Sequence, residues 1–256
     1  MKYSVAVNSH VGKTRSVNQD NFYCEHNFRK LENGNISFYA TVEKDSQSII
    51  AVFDGMGGEN NGEMASLLAA EVTECYCSNN KDRYDVDELI NLINLRICDE
   101  IKSQGCTMGS TCVILELINS QFRSWNVGDS RTYLFHNEII SQLSVDHTEA
   151  NTFNSIFKGD SEVRPGSENI LTQNLGIPED DFIIEPYISE WVNINNGDII
   201  LLCSDGLTHM ADNDSIASIL KTKRSVRTKC QELVNLALEH GGLDNITVVL
   251  VEADEQ

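Results

Sequence analysis

The stretch Ile49-Ile50-Ala51-Val52-Phe53-Asp54-Gly55-Met56-Gly57-Gly58 decides how the chain is read. Its apolar half is rich in β-branched residues and only a strand's length, so it reads as a buried β-strand. That strand runs directly into a carboxylate and then into glycines. A rigid element thus holds Asp54 at a sheet edge, and the adjacent Gly55 lets backbone carbonyl and solvent approach closely.

The same arrangement recurs in Ser124-Trp125-Asn126-Val127-Gly128-Asp129-Ser130-Arg131 and in Ile199-Ile200-Leu201-Leu202-Cys203-Ser204-Asp205-Gly206. In Gly242-Leu243-Asp244-Asn245-Ile246-Thr247 the order reverses, with the aspartate just before a strand. Any one of these sites also reads as a simple turn, Asp-Gly being the commonest turn dipeptide. Taken together, each against an apolar run, they point to carboxylates converging at one sheet edge. That would be an oxygen-only cage for Mg²⁺ or Mn²⁺.

Composition narrows the classes. The chain has 256 residues, 41% of them hydrophobic, with 39 Asp plus Glu against 19 Lys plus Arg and a formal net charge of −20. A chain of this length buries roughly 70–75% of its unfolded surface and needs no disulfide staples. With no repeat, no linker and only 3 Pro, a single domain over 1–256 is expected. The charge repels phosphate backbones and anionic lipid, so neither nucleic acid nor membrane is expected as a partner. Met1 to Val7 alternates like a strand rather than forming a signal peptide. No apolar run approaches the ~20 residues of a membrane span, so a cytoplasmic protein is expected. Eight scattered cysteines without a CxxC pair read as reduced thiols. His10, His26, His136, His209 and His240 sit in no metal-ligand spacing.

Periodicity orders the elements. Strands are expected at Tyr3–Asn8, Ile36–Val42 and Ser48–Phe53. Two helical patterns follow, one through Ala65, Leu68, Ala69 and Val72, the other from Val86 to Ile101. A β block covers Thr111–Ile118, Phe122–Val127, Arg131–Phe135 and Glu138–Ser141, with a hairpin turn at Asn119-Ser120. Residues 147–170 are polar and weakly patterned, a flap-like insert expected to be mobile. A strand at Asp198–Cys203 leads to helices near Asp214–Leu220 and Val226–His240, the latter stopped by Gly241-Gly242. Ile246–Val251 closes as a buried strand, and Trp125 and Trp191 are expected in the core or packed on a sheet. Hairpin-linked strands with grouped helices indicate an α+β layered fold.

The same residues carry a family resemblance. Gly12-Lys13-Thr14-Arg15-Ser16-Val17-Asn18-Gln19-Asp20, the Asp54-Gly55-Met56-Gly57-Gly58 block, Met108-Gly109-Ser110-Thr111 and Asn126-Val127-Gly128-Asp129-Ser130-Arg131 come in order. Leu143-Ser144-Val145-Asp146-His147-Thr148, Leu171-Thr172-Gln173-Asn174-Leu175-Gly176, Ser204-Asp205-Gly206-Leu207 and Asp244-Asn245-Ile246-Thr247 follow. In that sequence they resemble the protein phosphatase 2C (PPM) family of metal-dependent protein serine/threonine phosphatases, in its compact bacterial form.

The resemblance implies a four-layer α-β-β-α sandwich, two antiparallel β-sheets flanked by helices. It implies two Mn²⁺ or Mg²⁺ ions: Asp54 bridging both, Asp205 and Asp244 on one, the Gly55 carbonyl on the other, and Asp20 acting through water. Asp129 with Asp205 would suit a third ion, and Arg15 would grip the phosphate through its planar fork. Hydrolysis by a metal-activated water needs no protein nucleophile. The implied partners are phosphorylated proteins and an opposing serine/threonine kinase, with the phosphatase itself a monomer. Met56 stands where eukaryotic relatives have a His proton donor, and Gln19 where many have Glu. His147 is expected to organise the base of the flap, and Lys158 and Arg164 are candidate substrate contacts. A phosphopeptide-binding pseudo-phosphatase and a metal-dependent phosphodiesterase are the rival readings.

Overall fold

The computed structural model describes residues 2–31, 34–43, 47–57, 61–80, 83–157 and 164–253. Strands β1 (Lys2–His10), β2 (Asp20–Cys24), β3 (Ile36–Glu43) and β4 (Ser48–Met56) precede helices α1 (Asn61–Asn79) and α2 (Val86–Gln104). Next come β5 (Gly109–Ser110), β6 (Cys112–Ile118), β7 (Gln121–Val127), β8 (Arg131–His136) and β9 (Ile139–Gln142). Helix α3 (Glu149–Phe157) and the short β10 (Tyr187–Ile188) and β11 (Val192–Asn193) lead to β12 (Ile199–Cys203). Helices α4 (Asp205–Thr208), α5 (Asn213–Leu220) and α6 (Val226–Glu239) precede β13 (Ile246–Ala253).

The strands form two antiparallel sheets. One runs β3-β1-β13-β12-β8-β9; the other runs β10-β7-β6-β4-β2, with β5 on β4 and β11 on β7. Successive side chains of a strand point to opposite faces, and β4 shows what this does here. Ile49, Ala51 and Phe53 pack with α1 and α2 residues such as Leu68, Ile90 and Ile93, whereas Ile50 and Val52 meet Val5, Leu202 and Val249 of the other sheet. The outer face of that other sheet carries Leu201, Val248 and Leu250 against Ile216, Cys230 and Leu233 of α5 and α6. Three apolar interfaces therefore separate four layers, helix–sheet–sheet–helix. Burying each such aliphatic side chain contributes about 1.5–3 kcal/mol. Because both faces of both sheets are covered, their central strands read as unbroken apolar runs.

Local signals behave as their chemistry dictates. Asn119 and Ser120 take φ of 48° and 70°, the left-handed pair that a two-residue hairpin requires. Gly241 and Gly242 stop α6 with φ of 129° and 55°. Asp85 caps α2 by accepting from the Asp87 and Glu88 amides.

Two expectations change. Residues 149–157 of the insert form a helix, because Thr148 Oγ1 accepts from the Asn151 amide and the Glu149 amide bonds Ile170 O, tying both ends of the insert together. Strand β2 has no counterpart in the apolar pattern; it opens on Asp20-Asn21 and is buried nonetheless. Of the two tryptophans, Trp125 is buried in the core and Trp191, 39% exposed, packs on the sheet against the Arg123 guanidinium of β7. All eight cysteines are free. Among the described residues no helix is long and apolar enough to cross a membrane.

Candidate metal centre

Strand pairing brings the first two carboxylates together. In the β2–β4 ladder Asp20 lies directly opposite Asp54. Asp54 belongs to β4 itself, which continues past Phe53 to Met56 instead of ending before the aspartate. Its backbone is held on both sides: the Asp54 amide donates to Thr111 Oγ1 (3.1 Å), and the Thr111 amide and Ser110 hydroxyl donate to Asp54 O. Thr111 Oγ1 in turn meets Ser130 Oγ at 2.7 Å. The 108–111 and 126–131 blocks thus serve to fix the aspartate. Gly55 permits a close crossing, since a Cβ there would come 1.9 Å from the Gly62 carbonyl of α1.

The other sheet supplies the remaining carboxylates. Strand β12 ends at Cys203, and Asp205 is the first residue of α4, directly after Ser204. Asp244 precedes β13, and Asp129 lies in the connection from β7 to β8. Together with Gly55, Met56, Thr111 and Arg15, the side chains of Asp54, Asp129, Asp205 and Asp244 line a cavity of about 790 Å³. Asp20 does not line it; only 1% exposed, it sits behind Asp54. Arg15 reaches across the mouth, its Nη2 2.8 Å from Asp244 Oδ2. His209 Nδ1 lies 3.4 Å from Asp205 Oδ2.

Burial and mutual repulsion dominate the electrostatics. Burial pushes the Asp54 carboxyl well above the usual carboxylate range, and the charges of Asp20, Asp205, Asp129 and Asp244 push it further. Burial lifts Asp129 to about 7, helped by Asp205 and Asp146. It also lifts Asp20 to about 7 against the opposing hydrogen bonds from Ser204 and Thr247. Asp205 is raised by burial, with His209 pulling the other way.

These residues suit a hard divalent cation. The donors are all oxygen, as Mg²⁺ and Mn²⁺ prefer. One Asp20 oxygen, Oδ2, is taken by the Ser204 hydroxyl at 2.7 Å, while Oδ1 is buried with no hydrogen-bond partner. An orphaned buried carboxylate oxygen is costly unless a cation or a water held by one completes it. Among the described residues no three acidic, histidine or cysteine side chains are drawn into a closed ligand cluster. An open cavity of this kind matches ions that keep several waters and take few carboxylates each.

Several residues have roles beyond the expected set. Arg29, 1% exposed, donates from Nε to Asp20 O (2.9 Å) and from Nη2 to Asn18 O (2.6 Å), and pairs with Glu63 at the start of α1. Ser204 orients Asp20, and Asn245 holds the loop that carries Arg15. Arg29 stands between Phe28 and Lys30, and nothing in that local sequence signals such a role. The base of the insert is organised as expected by His147, whose Nδ1 accepts from the Gly128 amide and whose own amide donates to Gly128 O. Asn169, Ile170, Leu171 and Asn174 complete the cavity wall. Arg164 does not line it, and Lys158 and Gly58 lie outside the described residues.

Known proteins share this fold and much of this sequence. The family described as protein phosphatase 2C matches residues 9–152, more than half of the chain. The serine/threonine phosphatase stp of Listeria monocytogenes is 36% identical over 230 residues, 82% of this chain and 86% of the relative. The crystal structure of the Mycobacterium tuberculosis serine/threonine phosphatase PstP/Ppp covers 100% of both chains at 24% identity, with a TM-score of 0.79. A structure of the PstP catalytic domain in complex with two manganese ions covers 100% of both chains at 24% identity, with a TM-score of 0.78. The chain belongs to the protein phosphatase 2C family.

Proposed function

We propose that the cavity hydrolyses phosphoserine and phosphothreonine in proteins with the help of two divalent ions, Mn²⁺ or Mg²⁺. The observation that carries this reading is the gathering of Asp54, Asp129, Asp205 and Asp244 around one cavity, with the orphaned Asp20 oxygen beneath them. Asp54, Asp205, Asp244 and the Gly55 carbonyl would hold these ions, with Asp20 behind them, and Asp129 with Asp205 would hold a third. Such ions supply Lewis-acid activation of water and screening of phosphate charge.

The protein's own part is binding and positioning. Arg15, half exposed at the mouth, turns its fork from Asp244 to the incoming phosphate oxygens. Thr111 is already engaged by Ser130 and the Asp54 amide, so it serves as a support rather than as a nucleophile. Among the described residues no Cys or His lines the cavity, and Met56 stands on its wall. Met56 has no proton to give, so the acid for the departing alkoxide is not the side chain at that position. We read the protein as a cytoplasmic single-domain monomer that opposes a serine/threonine kinase. The −20 charge disfavours a phosphodiester backbone as substrate.

The test is phosphate release from a phosphothreonine peptide in Mn²⁺, in Mg²⁺ and in chelator. Turnover with metal and none in chelator is expected. Equal turnover in chelator would overturn the metal-dependent reading.

A further inference from the structure

We infer that Asn245 is a positioning residue for the phosphomonoester substrate, acting through the loop that carries Arg15. The inference rests on the reading of Arg15 as the phosphate-gripping residue. Asn245 is 4% exposed. Its side-chain amide makes three hydrogen bonds, each to the main chain of residues 11–19. Nδ2 donates to Val11 O (2.8 Å) and to Val17 O (3.0 Å), and Oδ1 accepts from the Gln19 amide (2.7 Å).

These partners bracket Arg15 on both sides. Between them, residues 13–16 are exposed. Their main-chain tie to the body of the protein is the hydrogen bond from the Lys13 amide to Gly242 O, beside the Arg15 side chain's own pair with Asp244. The orientation of the amide is determined, because two carbonyls face its nitrogen and one N–H faces its oxygen. The Asn245 main-chain amide also donates to Asp244 Oδ1 at 2.8 Å. One residue therefore sets the distance between the Arg15 loop and Asp244, the carboxylate that Arg15 touches. A guanidinium fork recognises two phosphate oxygens only when its base is placed within a fraction of an ångström. Loss of the Asn245 amide would leave Arg15 charged but unplaced.

The experiment compares Asn245→Ala, Arg15→Ala and the double variant for KM, kcat and Mn²⁺ affinity by calorimetry. Asn245→Ala is expected to raise KM for a phosphothreonine peptide about tenfold, with Mn²⁺ affinity unchanged within about twofold. In the Arg15→Ala background it should add nothing further. An unchanged KM, or an undiminished effect in that background, overturns the inference. If Arg15→Ala itself leaves KM unchanged, it is instead the phosphate-gripping reading that fails. Should Asn245→Ala not fold, Asn245→Asp keeps the shape but turns a carboxylate toward two carbonyls, and the same KM rise is expected. Amide hydrogen exchange provides a readout independent of activity: the Gln19 amide, bonded to Asn245 Oδ1, should be protected in the parent protein and exchange faster in Asn245→Ala. Unaltered protection contradicts the proposal.

Discussion

Asp20 and Asp54 face each other across the β2–β4 ladder, two carboxylates at one register position inside a sandwich. Like charges directly opposite one another in a sheet are destabilising, and burial adds to the cost. The metal-free protein therefore carries strain where a cation would relieve it.

Stability of the metal-free protein should fall as pH rises. The folded-state values of about 7 for Asp20 and Asp129 lie above the ordinary carboxylate value of 3.8. Between those limits the folded chain holds protons that the unfolded chain has released, so stability declines from about pH 4 to about pH 7. Thermal melts in chelator at pH 5 and 7.5 check this, and a higher Tm at pH 7.5 would contradict it. Saturating Mn²⁺ should remove or reverse the trend.

Neutralising Asp54 should separate stability from activity. In chelator at pH 7.5, Asp54→Asn is expected to stabilise the fold by about 1–2 kcal/mol, because an uncompensated buried charge is removed. Catalysis should be lost. Chemical denaturation beside a turnover assay reads both.

Arg29 should matter for the fold as well as for the site. Its guanidinium holds the Asn18 and Asp20 carbonyls and pairs with Glu63 at the start of α1. Arg29→Met leaves buried partners unpaired and should cost about 3–5 kcal/mol, with weaker Mn²⁺ binding in the protein that still folds. A loss below about 1 kcal/mol would remove the buried guanidinium from this role.

At Gly55 the limit is steric. Gly55→Ala would drive a methyl group into the Gly62 carbonyl and push β4 away from α1. Overpacking of this kind costs about 1–3 kcal/mol, and here it also displaces Asp54, so activity should fall further than the Tm alone accounts for.

Far from the cavity, Arg123 is held between the Trp125 and Trp191 rings at 4.6 Å from each, and its Nε donates to the buried Glu116. Trp191→Ala should cost about 1 kcal/mol and leave kcat and KM unchanged. Altered kinetics would show coupling between this edge of the sheet and the site.

Much of this architecture is legible in the sequence because doubly covered strands must be apolar. The runs at Ile49–Phe53 and Ile199–Cys203 announce themselves, and so do the aspartates beside them. Strand β2 escapes, since its first two residues, Asp20 and Asn21, are polar types buried for the sake of the site. Helix α3 escapes because a hydroxyl cap and the tie to Ile170, rather than apolar periodicity, support it. Arg29, Ser204 and Asn245 act by bonding to main chain or to another side chain that only the fold brings near, and no local pattern announces that.

The most direct test pairs calorimetric Mn²⁺ titration with phosphate release from a phosphothreonine peptide, for the parent protein and for Asp54→Ala. The account predicts metal binding and metal-dependent turnover in the parent protein, and the loss of both in the variant. Turnover by Asp54→Ala equal to that of the parent protein would contradict it.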